Sequence, residues 1–151
     1  MTEQIGAALR LLYPDGRAIT PDSATDDFSL KSLCEDNVYS LTLTPRRAGL
    51  ALAAVEYDIP LPHDLTDVPE ELYIYDDSAY TNDFTSVVPY VGNEARTVYN
   101  LAVFKNLRTR KVFLCGLLTA HRFLAMFNLH DGLVTLRFDL EVRELHAGEA
   151  Y

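Results

Sequence analysis

Apolar residues recur along this chain with period two far more often than with the 3.6-residue period of a helix. That is the pattern of extended strands with one buried face. In residues 38–44, Tyr39, Leu41 and Leu43 fall on one side of the backbone while Ser40, Thr42 and Thr44 fall on the other. Residues 133–143 repeat the alternation over a longer span, setting Leu136, Phe138, Leu140 and Val142 against Arg137, Asp139, Glu141 and Arg143. Further strands are expected at 7–12, 48–57, 72–75, 98–104, 112–118 and 121–127.

Turn formers separate these runs. In Pro14-Asp15-Gly16 the proline sets φ and the glycine accepts a positive φ, and Asp131-Gly132 is a strong signal for a tight hairpin. About seven or more short strands at this spacing, with no long helices between them, predict an antiparallel arrangement, because parallel neighbours need crossover connections. The expected fold is therefore all-β, an antiparallel two-layer β-sandwich with little helix. Two stretches break the pattern. Residues 59–71 contain Pro60, Pro62 and Pro69, which remove backbone donors, and read as a surface connection with at most one helical turn. Residues 76–94 form the longest irregular candidate, and long loops on a sandwich are where binding tends to reside. No repeat, low-complexity tract or linker divides the chain, so residues 1–151 are expected to form a single domain.

Composition narrows the function classes. At 151 residues, with 48% hydrophobic and 23% charged residues, the chain is long and apolar enough to bury a core. No stretch approaches the roughly 18 apolar residues of a membrane-spanning helix, and Met1-Thr2-Glu3-Gln4 lacks a secretion signal, which points to the cytoplasm and away from a membrane partner. The formal charge of −9 opposes nucleic-acid binding, and the one dense basic stretch, residues 105–111, reads as a solvated hairpin loop. Cys34 and Cys115 lie in or beside apolar runs, where a cysteine behaves as a small hydrophobe.

Catalytic constellations are absent from the pattern. There is no G-x-S-x-G elbow, and the seven glycines form no phosphate-binding motif. His63, His121, His130 and His146 show no metal-ligand spacing, so neither metal nor cofactor is expected. Candidate contacts are instead gathered in the irregular stretch: Tyr80, Asn82, Asp83, Phe84 and Tyr90 combine aromatic faces with polar groups, and Asp76 and Asp77 precede them. Tyr73 and Tyr75, at strand positions, are expected to pack on a sheet. His121 and Arg122 interrupt an apolar stretch and suit either the cap of a sheet corner or a ligand contact.

The order of features also resembles a known family. The aromatic loop at 80–86, the strand at 97–104, the run Lys111-Val112-Phe113-Leu114-Cys115-Gly116-Leu117-Leu118-Thr119-Ala120-His121-Arg122-Phe123 and the ending Asp139 to Glu149 together are similar to the N-terminal β-supersandwich domain of the α-galactosidase-like glycoside hydrolases, family thirty-six and its relatives. The chain departs from that family in having no tryptophan. The resemblance implies an accessory domain that packs on a catalytic (β/α)8 barrel or an oligomer partner and has no turnover of its own. Such a barrel takes about 250 residues, more than this chain has. The alternative is a stand-alone carbohydrate- or protein-binding sandwich that uses the Asp76 to Gly92 loop; the candidate ligand contacts are Tyr80, Asn82, Asp83, Phe84 and Tyr90, with His121 and Arg122 from outside that loop.

Overall fold

A computed structural model describes residues 9–20, 26–35, 38–66, 71–76, 86–90, 95–118, 124–130 and 133–151. These residues are mostly antiparallel β-structure, as the alternation predicts, with one turn of α-helix. They fall into two compact units, Met1–Tyr57 with Asp139–Tyr151, and Asp58–Phe138.

The first unit opens with the predicted turn. Gly16, at φ 86°, donates its N–H to the Tyr13 carbonyl at 3.0 Å, and Tyr13 donates to the Arg17 carbonyl at 2.9 Å. This returns β1 (Leu9–Leu12) alongside β2 (Ala18–Ile19), with Leu11 opposite Ile19. The other edge of β1 pairs with β5 (Leu50–Pro60), placing Leu11 opposite Val55, and both are buried. A separate hairpin joins β3 (Phe28–Glu35) to β4 (Val38–Pro45). The alternation did not predict β3, because Phe28 is buried while Leu33 is half exposed, so apolar side chains occur on both phases of that strand. Tyr151 exchanges two backbone hydrogen bonds with Leu43, each 2.9 Å long. A polar clasp holds the start of the hairpin: Tyr13 Oη donates to Asp27 Oδ2 at 2.9 Å and Arg47 Nε donates to Asp27 Oδ1 at 2.8 Å. Those bonds, the Arg47 one foremost, hold the Asp27 carboxyl below its ordinary range, so the clasp is present at neutral pH and is lost as pH falls through that lowered value.

The second unit is a two-layer sandwich. One layer has the strand order β10-β9-β6-β7, built from β6 (Leu72–Asp76), β7 (Ser86–Pro89), β9 (Leu101–Asn106) and β10 (Val112–Gly116). The other contains β8 (Arg96–Tyr99), β11 (Leu124–His130) and, up to Phe138, the start of β12 (Leu133–Leu145), in the order β12-β11-β8. Ile74, Ala102 and Phe104 from the first layer share one core with Val98, Phe127, Leu129 and Val134 from the second.

Two expectations are corrected here. Residues 98–104, read as one strand, are two: Asn100 adopts φ 61°, and the chain leaves β8, paired with β11, to enter β9, paired with β6 and β10. Asparagine is among the few residues that visit this left-handed conformation readily. Residues 76–94, read as irregular throughout, contain β7, which pairs with β6 from Tyr73 opposite Pro89 to Asp76 opposite Ser86. Proline masked that strand in the sequence. It is tolerated because β7 is an edge.

The proline-rich connection carries a single helical turn, α1 (His63–Thr66), whose Leu65 enters the core. Asn106 anchors it. This side chain is wholly buried, donates from Nδ2 to the Leu65 carbonyl at 3.0 Å, and accepts at Oδ1 from the N–H groups of Arg108 (3.0 Å) and Thr109 (2.9 Å). One amide thus ties α1 to the β9–β10 turn. Farther along, Glu141 and Val142 within β12 adopt φ 53° and 57°. For a β-branched valine this conformation carries a steric cost of about 1–2 kcal/mol.

Asn106→Ala orphans these backbone groups and is expected to lower unfolding free energy by about 2–4 kcal/mol, read from urea denaturation. Val142→Gly relieves the left-handed strain and is expected to raise it by about 0.5–1 kcal/mol in the same assay.

Candidate functional site

The four-stranded layer of the second unit has two unlike faces. Strand alternation sends Ile74, Phe104, Phe113 and Val88 inward, where the Phe104 and Phe113 rings lie 6.2 Å apart. The intervening residues point the other way, and the register aligns them into rows. Val87 stands opposite Tyr75, Tyr75 opposite Val103, and Val103 opposite Leu114. In the next row Pro89 stands opposite Tyr73, Tyr73 opposite Lys105, and Lys105 opposite Val112.

This outer face is mainly aliphatic and aromatic, yet it is open to water. Val87, Leu114 and Val112 are 66%, 61% and 58% exposed, and the two tyrosines are half buried. Scattered exposed hydrophobes are ordinary, but neighbours in register across four strands form a contiguous patch. Lys105 is the one charged residue in these two rows. Beyond it the β9–β10 turn, solvated as expected, adds Arg108 and Arg110; among the described residues neither these nor Lys105 is ion-paired. Lys111 is different, with Nζ 3.3 Å from Asp64 Oδ2.

Hydrogen bonding along the two outer strands decides which backbone groups face away from the layer. Asn106 donates to the Lys111 carbonyl and Leu117 to the Asn100 carbonyl, so the odd-numbered residues of β10 bond to β9. Val112, Leu114 and Gly116 therefore turn their N–H and C=O groups outward. On β7 the bond from Tyr90 N–H to the Leu72 carbonyl sets the opposite count, leaving Val87 and Pro89 outward. Proline has no N–H to offer there.

The site residues expected from the sequence are distributed differently. Tyr80, Asn82, Asp83, Phe84, His121 and Arg122 lie outside the described residues, as does Asp77. Tyr90 is a core residue rather than a loop contact: it is 1% exposed, and its ring meets Phe104 edge-on at 5.7 Å and 76°. Partly exposed tyrosines on this layer are instead Tyr73 and Tyr75, whose sheet packing was expected but whose outward side was not.

No group of three or more His, Cys, Asp or Glu among the described residues is arranged to hold a metal ion, and no helix among them is long and apolar enough to cross a membrane. Cys115 lies against the core, and burial pushes its thiol up to about 12. No protein-family model, curated protein or solved structure matches this chain.

A thiol with that value holds little thiolate at pH 8. Iodoacetamide labelling of Cys115, followed by peptide mass spectrometry, is expected to be at least ~10-fold slower in the native protein than in urea.

Proposed function

We propose that this chain is a non-catalytic β-sandwich module that binds a protein partner through the outer face of its four-stranded layer. The observation that carries the reading is the alignment of Val87, Tyr75, Val103 and Leu114 across all four strands, with the outermost side chains more than half exposed. Covering apolar area stabilises a complex by roughly 25 cal/mol per Å², and a sheet face supplies that area without reordering of the backbone. Tyrosine adds contact area with a polar tip, a combination enriched at protein interfaces. A sugar would require an array of donors and acceptors for its hydroxyls, whereas the two rows are chiefly hydrocarbon.

The kinship read from the sequence is one form of this proposal. An accessory domain of an α-galactosidase-like hydrolase needs an apolar surface on which to receive a catalytic barrel, and the outer face has that character. In this form the partner carries the reacting carboxylates and the present chain supplies packing.

The test uses Val87→Glu combined with Tyr75→Ser, which places charge and a short polar group on the face without altering the inner residues. Immobilised wild-type and variant chains are passed over an extract of the source cells. A protein retained at least ~10-fold more strongly by the wild type supports the reading, corresponding to about 1.4 kcal/mol of binding energy. Equal retention overturns it, as does release of product from a chromogenic α-galactoside by the purified chain.

A further inference from the structure

The two edges of the four-stranded layer are not equivalent. Exposed edges are usually blunted by proline, lysine or a bulge, because unpaired N–H and C=O groups invite another strand. On β7, one of the two outward-facing positions is Pro89, which lacks a donor. On β10, all three outward positions, Val112, Leu114 and Gly116, keep theirs. No charged or proline residue occurs from Val112 to Leu118. The nearest lysine, Lys111, is drawn to Asp64 rather than lying along the edge. Among the described residues, no strand pairs with this side of β10.

We infer that β10 is a self-association edge, and that its occupant is β10 of a second copy of this chain, added antiparallel about a two-fold axis. The inference rests on the reading of this layer as the binding surface, and it names one partner for it. The sequence is self-complementary in the required sense. With the axis at Leu114, Leu114 faces its own counterpart, Val112 faces the partner's Gly116, and Lys111 faces the partner's Leu117. No like charges oppose one another, which matters for a chain of net charge −9. Gly116, having no side chain, leaves room beside Val112.

The hydrogen-bond count fits the same axis. The three outward residues of each copy exchange about six backbone bonds, because the even-numbered positions unused by β9 are those the second strand needs. Two outer faces then join into one continuous apolar surface. Five residues of edge pairing bury less than the roughly 800 Å² per partner of a standard interface, so the dimer is weak, with its midpoint between about 10 µM and 1 mM.

Sedimentation equilibrium of the whole chain tests this. The expected result is a mass rising with concentration from 17.0 kDa toward twice that value. Amide hydrogen exchange under the same conditions is expected to slow by at least ~5-fold at Val112, Leu114 and Gly116. Leu114→Pro removes an outward donor that β9 does not use, and is expected to leave a monomer; Leu114→Lys provides the same test should the proline disturb folding. The Val87→Glu, Tyr75→Ser variant should dimerise as the wild type does. A wild type that remains at 17.0 kDa up to about 1 mM overturns the edge inference while leaving partner retention as a separate result. Dimers that persist in both Leu114 variants, or that are lost from the face variant alone, overturn it too.

Discussion

A strand running unbroken from Arg96 to Asn106 would belong to one sheet and present one set of alternate residues to one core. The left-handed backbone at Asn100 prevents that. It divides the segment so that Val98 enters the core from one layer while Ala102 and Phe104 enter from the other. The same turn sets the phase of β9, and hence of the strands on either side of it. Leu101, Val103 and Lys105 are thereby left on the outer face, and the character of that face follows from a single residue's tolerance of positive φ.

Layers covered on one side normally read as apolar-in and polar-out. The second unit departs from that rule on β10, where Phe113 and Cys115 pack inward while Val112 and Leu114 stand in water. The first unit also exposes apolar side chains, among them Leu33, Val38 and Val142, and in addition it carries polar pairs: Asp27 is shared by Tyr13 and Arg47, and Asp15 pairs with Arg17 at 2.7 Å. Exposed pairs of this kind are screened by solvent and contribute little to stability. Both units bury leucine-rich strands.

Much of the fold was legible because period two survives wherever one face is wet. β4 and the first part of β12, through Leu140, stand out for that reason, and the tight turn at Gly16 follows from its residue types. Val142, expected on the same face as Leu140, is instead 54% exposed, because the positive φ of Glu141 and Val142 breaks the alternation and Leu145 becomes the next buried residue. β3 was not legible, since Leu33 is exposed on the phase opposite to buried Phe28, and β7 was hidden by its proline. The outer face was harder still. Alternation identifies the two sides of a strand but not which side meets the core when both are apolar, as in the run from Val112 to Leu118. Tyr73 and Tyr75 could be assigned to a sheet, whereas their orientation needed the pairing of β6 with both β7 and β9. Tyr90, near a proline and a glycine, carried loop signals; the bond from its N–H to the Leu72 carbonyl holds it at the end of a strand instead. Nothing in the sequence distinguished Asn106 from any turn asparagine, because its role depends on a carbonyl 41 positions away.

That long-range tie makes the helical turn of the second unit dependent on its sheet. Four residues fall far short of the length at which a helix persists in water, so α1 has no stability to contribute by itself. Its Leu65 carbonyl accepts from the Nδ2 of Asn106, and that amide is held in place by the β9–β10 turn through its Oδ1. The helical turn is thus held by the sheet, and an opening of the hairpin releases both together.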